Sequence, residues 1–218
     1  MLLNKIISND LPYLDPNDSL DTALQYMHDW KVGHLPVVSE GKLMGLLDES
    51  DLLGYEGRTA KVSDFALLSH VVYPDQHVFE VIELISANEL TTVPVADKEA
   101  NYLGEISLQS IIEYMADLQS VRQEGSILVL EMNDVDYSLA EIARHIEGND
   151  AKILSASVTN FENSRTVEVS LKINQTDIRG IVQTLQRYDY TIKAFYDAPT
   201  YEDDLKRRYD ELMRYLNI

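Results

Sequence analysis

Cysteine is absent from the 218 residues, which excludes a disulfide framework, a thiolate metal site and a cysteine nucleophile. Basic residues are scarce, with 18 Lys and Arg against 37 Asp and Glu and a formal net charge of −19. Phosphate neutralisation dominates nucleic-acid affinity, so the expected partners include no nucleic acid and no membrane surface. No apolar run approaches the roughly 20 residues that span a bilayer. The stretch Met1–Asp10 is too short in apolar residues for a secretory signal and meets an acid early; a cytoplasmic location is the resulting expectation. There is no nucleophile elbow, Walker-type loop or dinucleotide Gly-rich turn. The histidines His28, His34, His70, His77 and His145 show no metal-ligand spacing. The expectation is a protein that is not an enzyme and has no metal site.

An internal repeat is present. At a shift of 58 residues, Asp15-Pro16-Asn17-Asp18-Ser19-Leu20 falls over Tyr73-Pro74-Asp75-Gln76-His77-Val78, and Leu35-Pro36-Val37-Val38 over Val93-Pro94-Val95-Ala96. One extra residue in the second copy then sets Gly45-Leu46-Leu47 over Gly104-Glu105-Ile106. Each copy predicts the same elements. A helix capped by Asp18 or Ser19 carries Leu20, Ala23, Leu24 and Met27 on one face; its counterpart carries Val78, Val81, Ile82 and Ile85. Short strands follow at Leu35–Val38 and Val93–Val95, with Pro36 and Pro94 read as sitting where each strand begins. The return strands are Leu43–Leu47 and Tyr102–Ile106, and a second helix begins after each.

This β-α-β-β-α unit, with Pro-Val on its second strand and Gly on its third, resembles the CBS domain over residues 1–121. The resemblance implies a tandem pair with adenine nucleotide or nucleoside ligands in the clefts, and a third strand entering its helix through G-h-h-[ST]-x-x-D. A helix N-terminus offers free amides to phosphate, and the acid accepts from ribose hydroxyls. The first copy reads Gly45-Leu46-Leu47-Asp48-Glu49-Ser50-Asp51: it keeps Asp51 but puts a carboxylate, Asp48, where a phosphate would sit. The second reads Gly104-Glu105-Ile106-Ser107-Leu108-Gln109-Ser110: it keeps Ser107 but has Ser110 for the acid. The CBS ligand residues implied are His34, Asp48, Asp51, Thr92, Ser107 and Ser110. The competing reading makes Asp48 and Glu49 first-turn acids and Ser107 an ordinary N-cap.

Beyond Gly125 the order of elements is βαββαβ, the ferredoxin-like arrangement. It comprises a strand at Ser126–Met132, a break at Asn133–Asp136 and a helix with Leu139, Ile142, Ala143 and Ile146 inward, ending at Gly148-Asn149. Strands follow at Lys152–Thr159, with Leu154, Ala156 and Val158 on one face, and at Thr166–Ile173, alternating strictly. A helix with Ile178, Ile181, Val182 and Leu185 and a strand at Tyr190–Tyr196 complete the set. In this context residues 126–197 resemble an ACT domain, a module that binds amino acids or other metabolites at dimer interfaces. The candidate contacts for an amino group are Asn133, Asp134 and Asp136; a turn and cap cluster is the favoured alternative for these residues. CBS pairs followed by such a unit resemble the AcuB-like acetoin-utilisation regulatory proteins.

The fold class expected is therefore α+β: tandem CBS repeats at 1–62 and 63–124, a ferredoxin-like, ACT-like domain at 125–198 and a C-terminal helix at 199–218. The function implied is regulatory: sensing a small-molecule ligand, an adenosine-type molecule or an amino acid, and relaying it through homodimer packing to a regulated protein partner. The alternative is a ligand-free dimerisation or docking scaffold with degenerate pockets.

Overall fold

The computed structural model describes residues 3–55, 60–161, 164–197 and Met213. The helix expected at 199–218 lies outside the described residues except at Met213, which is helical. The chain forms two compact units, Met1–Tyr114 and Met115–Ile218.

In the first unit, α1 (Leu20–Trp30) starts where the Ser19 side chain accepts from the Thr22 amide, and it buries Leu20, Ala23 and Met27. Ser19 is the cap; Asp18 instead accepts from the Asp15 amide. Strands β1 (His34–Ser39) and β2 (Lys42–Asp48) form an antiparallel hairpin. The second copy repeats the plan with α2 (Val78–Ala87), β3 (Thr92–Ala96) and β4 (Tyr102–Ser107). Here α2 begins with Glu80 accepting from the His77 amide and the His77 ring from the Phe79 amide. The prolines lie within the strands, not at their starts. Pro36 faces Leu46 and Pro94 faces Glu105. Both partners send their amides away from the hairpin, to Leu68 and Ser8 respectively. Each Pro therefore occupies a pair that makes no hairpin hydrogen bond, which is why a residue without an N–H is tolerated there.

The strand ahead of each helix is reduced to isolated bridges, and these link the repeats. Leu14 bonds Pro36 and Val38 of its own repeat, and Val72 bonds Pro94 and Ala96 of its own. Earlier in each segment the partner changes: Ser8 exchanges two hydrogen bonds with Glu105, and Leu68 exchanges two with Leu46. Each first strand thus completes the return strand of the other repeat. The crossing needs glycine. A Cβ at Gly104 (φ 135°) would stand 2.3 Å from the Ser8 carbonyl oxygen, and one at Gly45 (φ 154°) 2.7 Å from Leu67 Cβ.

The copies differ after the return strand. In the second, α3 (Leu108–Leu118) forms as expected. In the first, the expected helix is one 3-10 turn, Glu49–Asp51. The Asp48 carboxylate accepts from the Ser50 amide, and the Leu52 and Leu53 amides both close on the Glu49 carbonyl. That tight turn leads to Gly54, a poor helix former.

The second unit contains β5 (Ser126–Asn133), α4 (Leu139–Glu147), β6 (Ile153–Asn160), β7 (Thr166–Ile173), α5 (Arg179–Arg187) and β8 (Thr191–Tyr196). The sheet order β6-β7-β5-β8, antiparallel throughout, is ferredoxin-like. Val167, Val169, Leu171 and Ile173 of β7 are all buried, as their alternation predicts. Ala156 and Val158 face the same side, opposite Leu171 and Val169, yet both are exposed. The core is built on β5, β7, α4 and α5, and the edge strand β6 extends past it. α4 does not end on a left-handed glycine: Gly148 is right-handed (φ −65°), and Asp150 carries the positive φ of 56°.

Gly104→Ala is expected to lower unfolding stability by about 1–3 kcal/mol, the usual size of such local strain. It should also speed hydrogen exchange at the Ser8 amide. Denaturant melts and exchange on both proteins check this; an unchanged midpoint with Ser8 still protected would contradict the crossing.

Candidate ligand sites

The two hairpins meet where β1 and β3 begin. Gly33 donates its amide to Thr91 Oγ1 at 2.9 Å, and Thr91 in turn presents its amide and hydroxyl to His34 Nδ1 at 3.3 and 3.1 Å. An amide can only donate, so Nδ1 is an acceptor and the neutral ring carries its proton on Nε2. That nitrogen faces Asp48 Oδ2 at 3.7 Å. The other Asp48 oxygen, Oδ1, caps the 3-10 turn through Ser50 at 2.8 Å. His34 is buried, and this desolvation holds its pKa below the ordinary value, partly opposed by Asp48.

The corresponding corner of the second repeat is quieter. Ser107 Oγ accepts from the Ser110 amide at 3.1 Å, and Ser110 Oγ donates to the Ser107 carbonyl at 2.8 Å. Of the six expected CBS residues, the structure joins His34 to Asp48 and Ser107 to Ser110. Asp51 is exposed beside the first corner. Thr92 is fully buried, with its hydroxyl on the Ile106 carbonyl, so it has no exposed surface to offer. Its neighbour Thr91 occupies the junction. The repeat shift does not single it out, because it lays Thr91 over Gly33 and Thr92 over His34.

Glu105 is the other residue that sequence reasoning misses. It is fully buried, with Oε1 accepting from Ser8 Oγ at 2.8 Å and the Leu11 amide at 3.1 Å, and Oε2 from the Tyr102 hydroxyl at 2.8 Å. Burial and the adjacent carboxylate raise the Tyr102 pKa well above that of free tyrosine, so it stays a donor. This bonding meets the need of a buried carboxylate for several partners and fastens the exchanged N-terminal segment. An acid interrupting Gly-Leu-Leu-type apolar spacing is the visible hint.

In the second unit Asn133 and Asp136 come together, with Asn133 Nδ2 donating to Asp136 Oδ2 at 3.4 Å. They border a cleft of about 500 Å³ between the end of β5, α4 and the turn before β8. Asp134 does not line it: its side chain accepts from the Val135 amide, and its own amide donates to the Arg165 carbonyl. That is the behaviour of a turn residue.

Two helix-and-hairpin repeats that exchange their first strands define a tandem repeat module. Residues 3–57 and 66–117 match the CBS domain family. The first half of the chain is a tandem pair of CBS domains. An inosine-5'-monophosphate dehydrogenase of Methanocaldococcus jannaschii is 27% identical over 209 residues, 89% of this chain and 41% of that enzyme. The chain thus spans less than half the length of that relative. A CBS domain-containing protein of the same archaeon is 26% identical over 118 residues, 52% of this chain and 94% of its own length. A Vibrio cholerae protein assigned to acetoin utilization (AcuB) shares the fold, with a TM-score of 0.50 at 17% identity over 56% of this chain and 95% of that one.

The depressed pKa of His34 makes a stability prediction. As pH falls through about 6.5, the unfolded chain protonates this ring while the folded chain resists, so stability drops. The slope from this one group is at most about 1.4 kcal/mol per pH unit. Denaturant midpoints at pH 7.5 and 5.5 should fall less for His34→Asn, whose side-chain oxygen can replace Nδ1 as acceptor, than for the wild type. Equal losses would remove His34 from the account.

Proposed function

We propose that the chain is a non-enzymatic, cytoplasmic regulatory protein whose CBS pair binds an adenosine-type ligand and transmits its occupancy through homodimer packing to a protein partner. The tandem CBS pair carries this reading, because CBS-domain proteins are generally regulatory. The charge of the first corner sets the ligand preference. Asp48, Glu49 and Asp51 stand together in sequence at the 3-10 turn, and the Asp48 carboxylate already holds the Ser50 amide. A phosphate there would meet carboxylates instead of free amides, whereas Asp51 suits the hydroxyls of a ribose. At the second corner, Ser107 Oγ accepts from Ser110 and keeps its own proton to donate, which tolerates a phosphate better. Nucleosides are therefore favoured over polyphosphates at the first corner. The ACT-like reading of the second unit adds a further small metabolite carrying an amino group, such as an amino acid, at Asn133 and Asp136. Among the described residues no helix is long and apolar enough to cross a membrane.

A second reading, a docking scaffold without ligand, is favoured by one observation: the cap side chains at both corners are bonded to their own helical turns. Thermal unfolding with adenosine, AMP and ATP separates the two. A ligand at 100 times its Kd adds about 2.7 kcal/mol of stability, so a bound nucleoside gives a readable rise in Tm. Adenosine is expected to raise Tm more than ATP does, with the effect reduced in Asp51→Ala or Ser107→Ala. No rise with any of the three supports the scaffold.

A further inference from the structure

The cleft of the second unit has a composition that an amino-acid site does not require. Three rings form one wall: His145 of α4 stacks on Tyr188 with centroids 4.1 Å apart and planes at 32°, and meets Tyr190 edge-on at 5.7 Å. Carboxylates stand around this wall, from Asp136 before α4, Glu141 in its first turn and Asp189 in the turn before β8. Within the described residues none of these three has an ion-pair partner, whereas Glu131, also on the cleft, lies 3.7 Å from Lys193. Arg144 is the one guanidinium on the lining. The lining therefore holds four carboxylates against one guanidinium, with Lys193 beside Glu131 and the Arg187 guanidinium 6.0 Å from the Tyr188 ring centre, on a chain of net charge −19.

That balance disfavours an anion and selects a cation. A metal ion does not fit, because no group of three or more His, Cys, Asp or Glu side chains among the described residues converges closely enough to hold one. Carboxylates that do not converge on one point instead match a ligand that carries more than one positive charge. The volume falls within the range of about 300–1,000 Å³ usual for small-molecule clefts. A ring wall beside carboxylates suits a methylene chain with charged groups, and aromatic faces attract ammonium groups.

We propose that this cleft binds a linear aliphatic polyamine, its methylenes along the His145, Tyr188 and Tyr190 rings and its ammonium groups at Glu141, Asp189 and Asp136. The proposal rests on reading the second unit as a ligand-binding one and is independent of the CBS corners.

Calorimetric titration of the full chain in 150 mM salt, where weak surface attraction is screened, tests it with spermidine, putrescine, lysine and magnesium chloride. Spermidine is expected to bind saturably at one site and more tightly than lysine, with no matching magnesium signal. Removing one charge-assisted hydrogen bond, by Glu141→Gln or Asp189→Asn, should weaken binding about tenfold or more, and Tyr188→Ala should weaken it without changing the charge. All three positions are exposed, and an unchanged melt shows that the variants fold. Unsaturable spermidine binding, or equal binding to the variants, would mean diffuse attraction to an acidic surface and overturns the proposal. Lysine binding more tightly than spermidine also overturns it, while leaving an amino-acid site in place. Adenosine responses of the same variants report on the CBS pair alone.

Discussion

Each return strand in the CBS pair has one edge that its own hairpin partner does not satisfy. The groups on that edge are bonded by the first strand of the other repeat: Ser8 with Glu105, and Leu68 with Leu46. Neither repeat completes its sheet alone, and the tandem arrangement follows from this mutual pairing. The geometry leaves no room for a side chain at the crossing, so Gly45 and Gly104 are steric requirements. Further pairing of the hairpins, through Leu43 to Ala100 and Tyr102 to Gly41, repeats the same near-symmetry. The junction of Gly33, His34 and Thr91 stands where that symmetry brings the repeats together.

Symmetry in the backbone does not extend to the side chains. Glu105 brings a buried carboxylate and three hydrogen bonds to one crossing, where the equivalent Leu46 is apolar and fully buried. Asp48 and Ser107 each cap the next turn of the chain, but Asp48 opens a single 3-10 turn and Ser107 an eleven-residue helix. The two corners therefore offer different chemistry to a ligand. One is acidic and bordered by a neutral histidine, and the other is a hydroxyl at the start of a helix.

The repeat and most elements are legible in the sequence, because apolar spacing, Pro-Val pairs and strict alternation such as Thr166–Ile173 are local signals. The features that are not legible depend on distant residues. Nothing near Pro36 states that Leu46 turns its amide toward Leu68, so sequence alone puts the prolines at strand starts. Val158 follows the alternation of an inward face, yet its exposure depends on a core built on β5, β7, α4 and α5, which β6 meets through Ile153. Sequence favours Thr92 over Thr91, since only the packed repeats show which of the two reaches the junction. The rings of the second cleft are far apart in sequence, with His145 on α4 and Tyr188 and Tyr190 after α5, and no motif joins them.

The regulatory reading requires that ligand reach the corners where the CBS repeats meet. Amide hydrogen exchange, with and without saturating adenosine, tests this directly. The account predicts slower exchange at Gly33, at Thr91 and in the turn Glu49–Asp51, carried on to the crossing at Ser8 and Leu68. Exchange unchanged at those amides, or slowed only in the second unit, would contradict it.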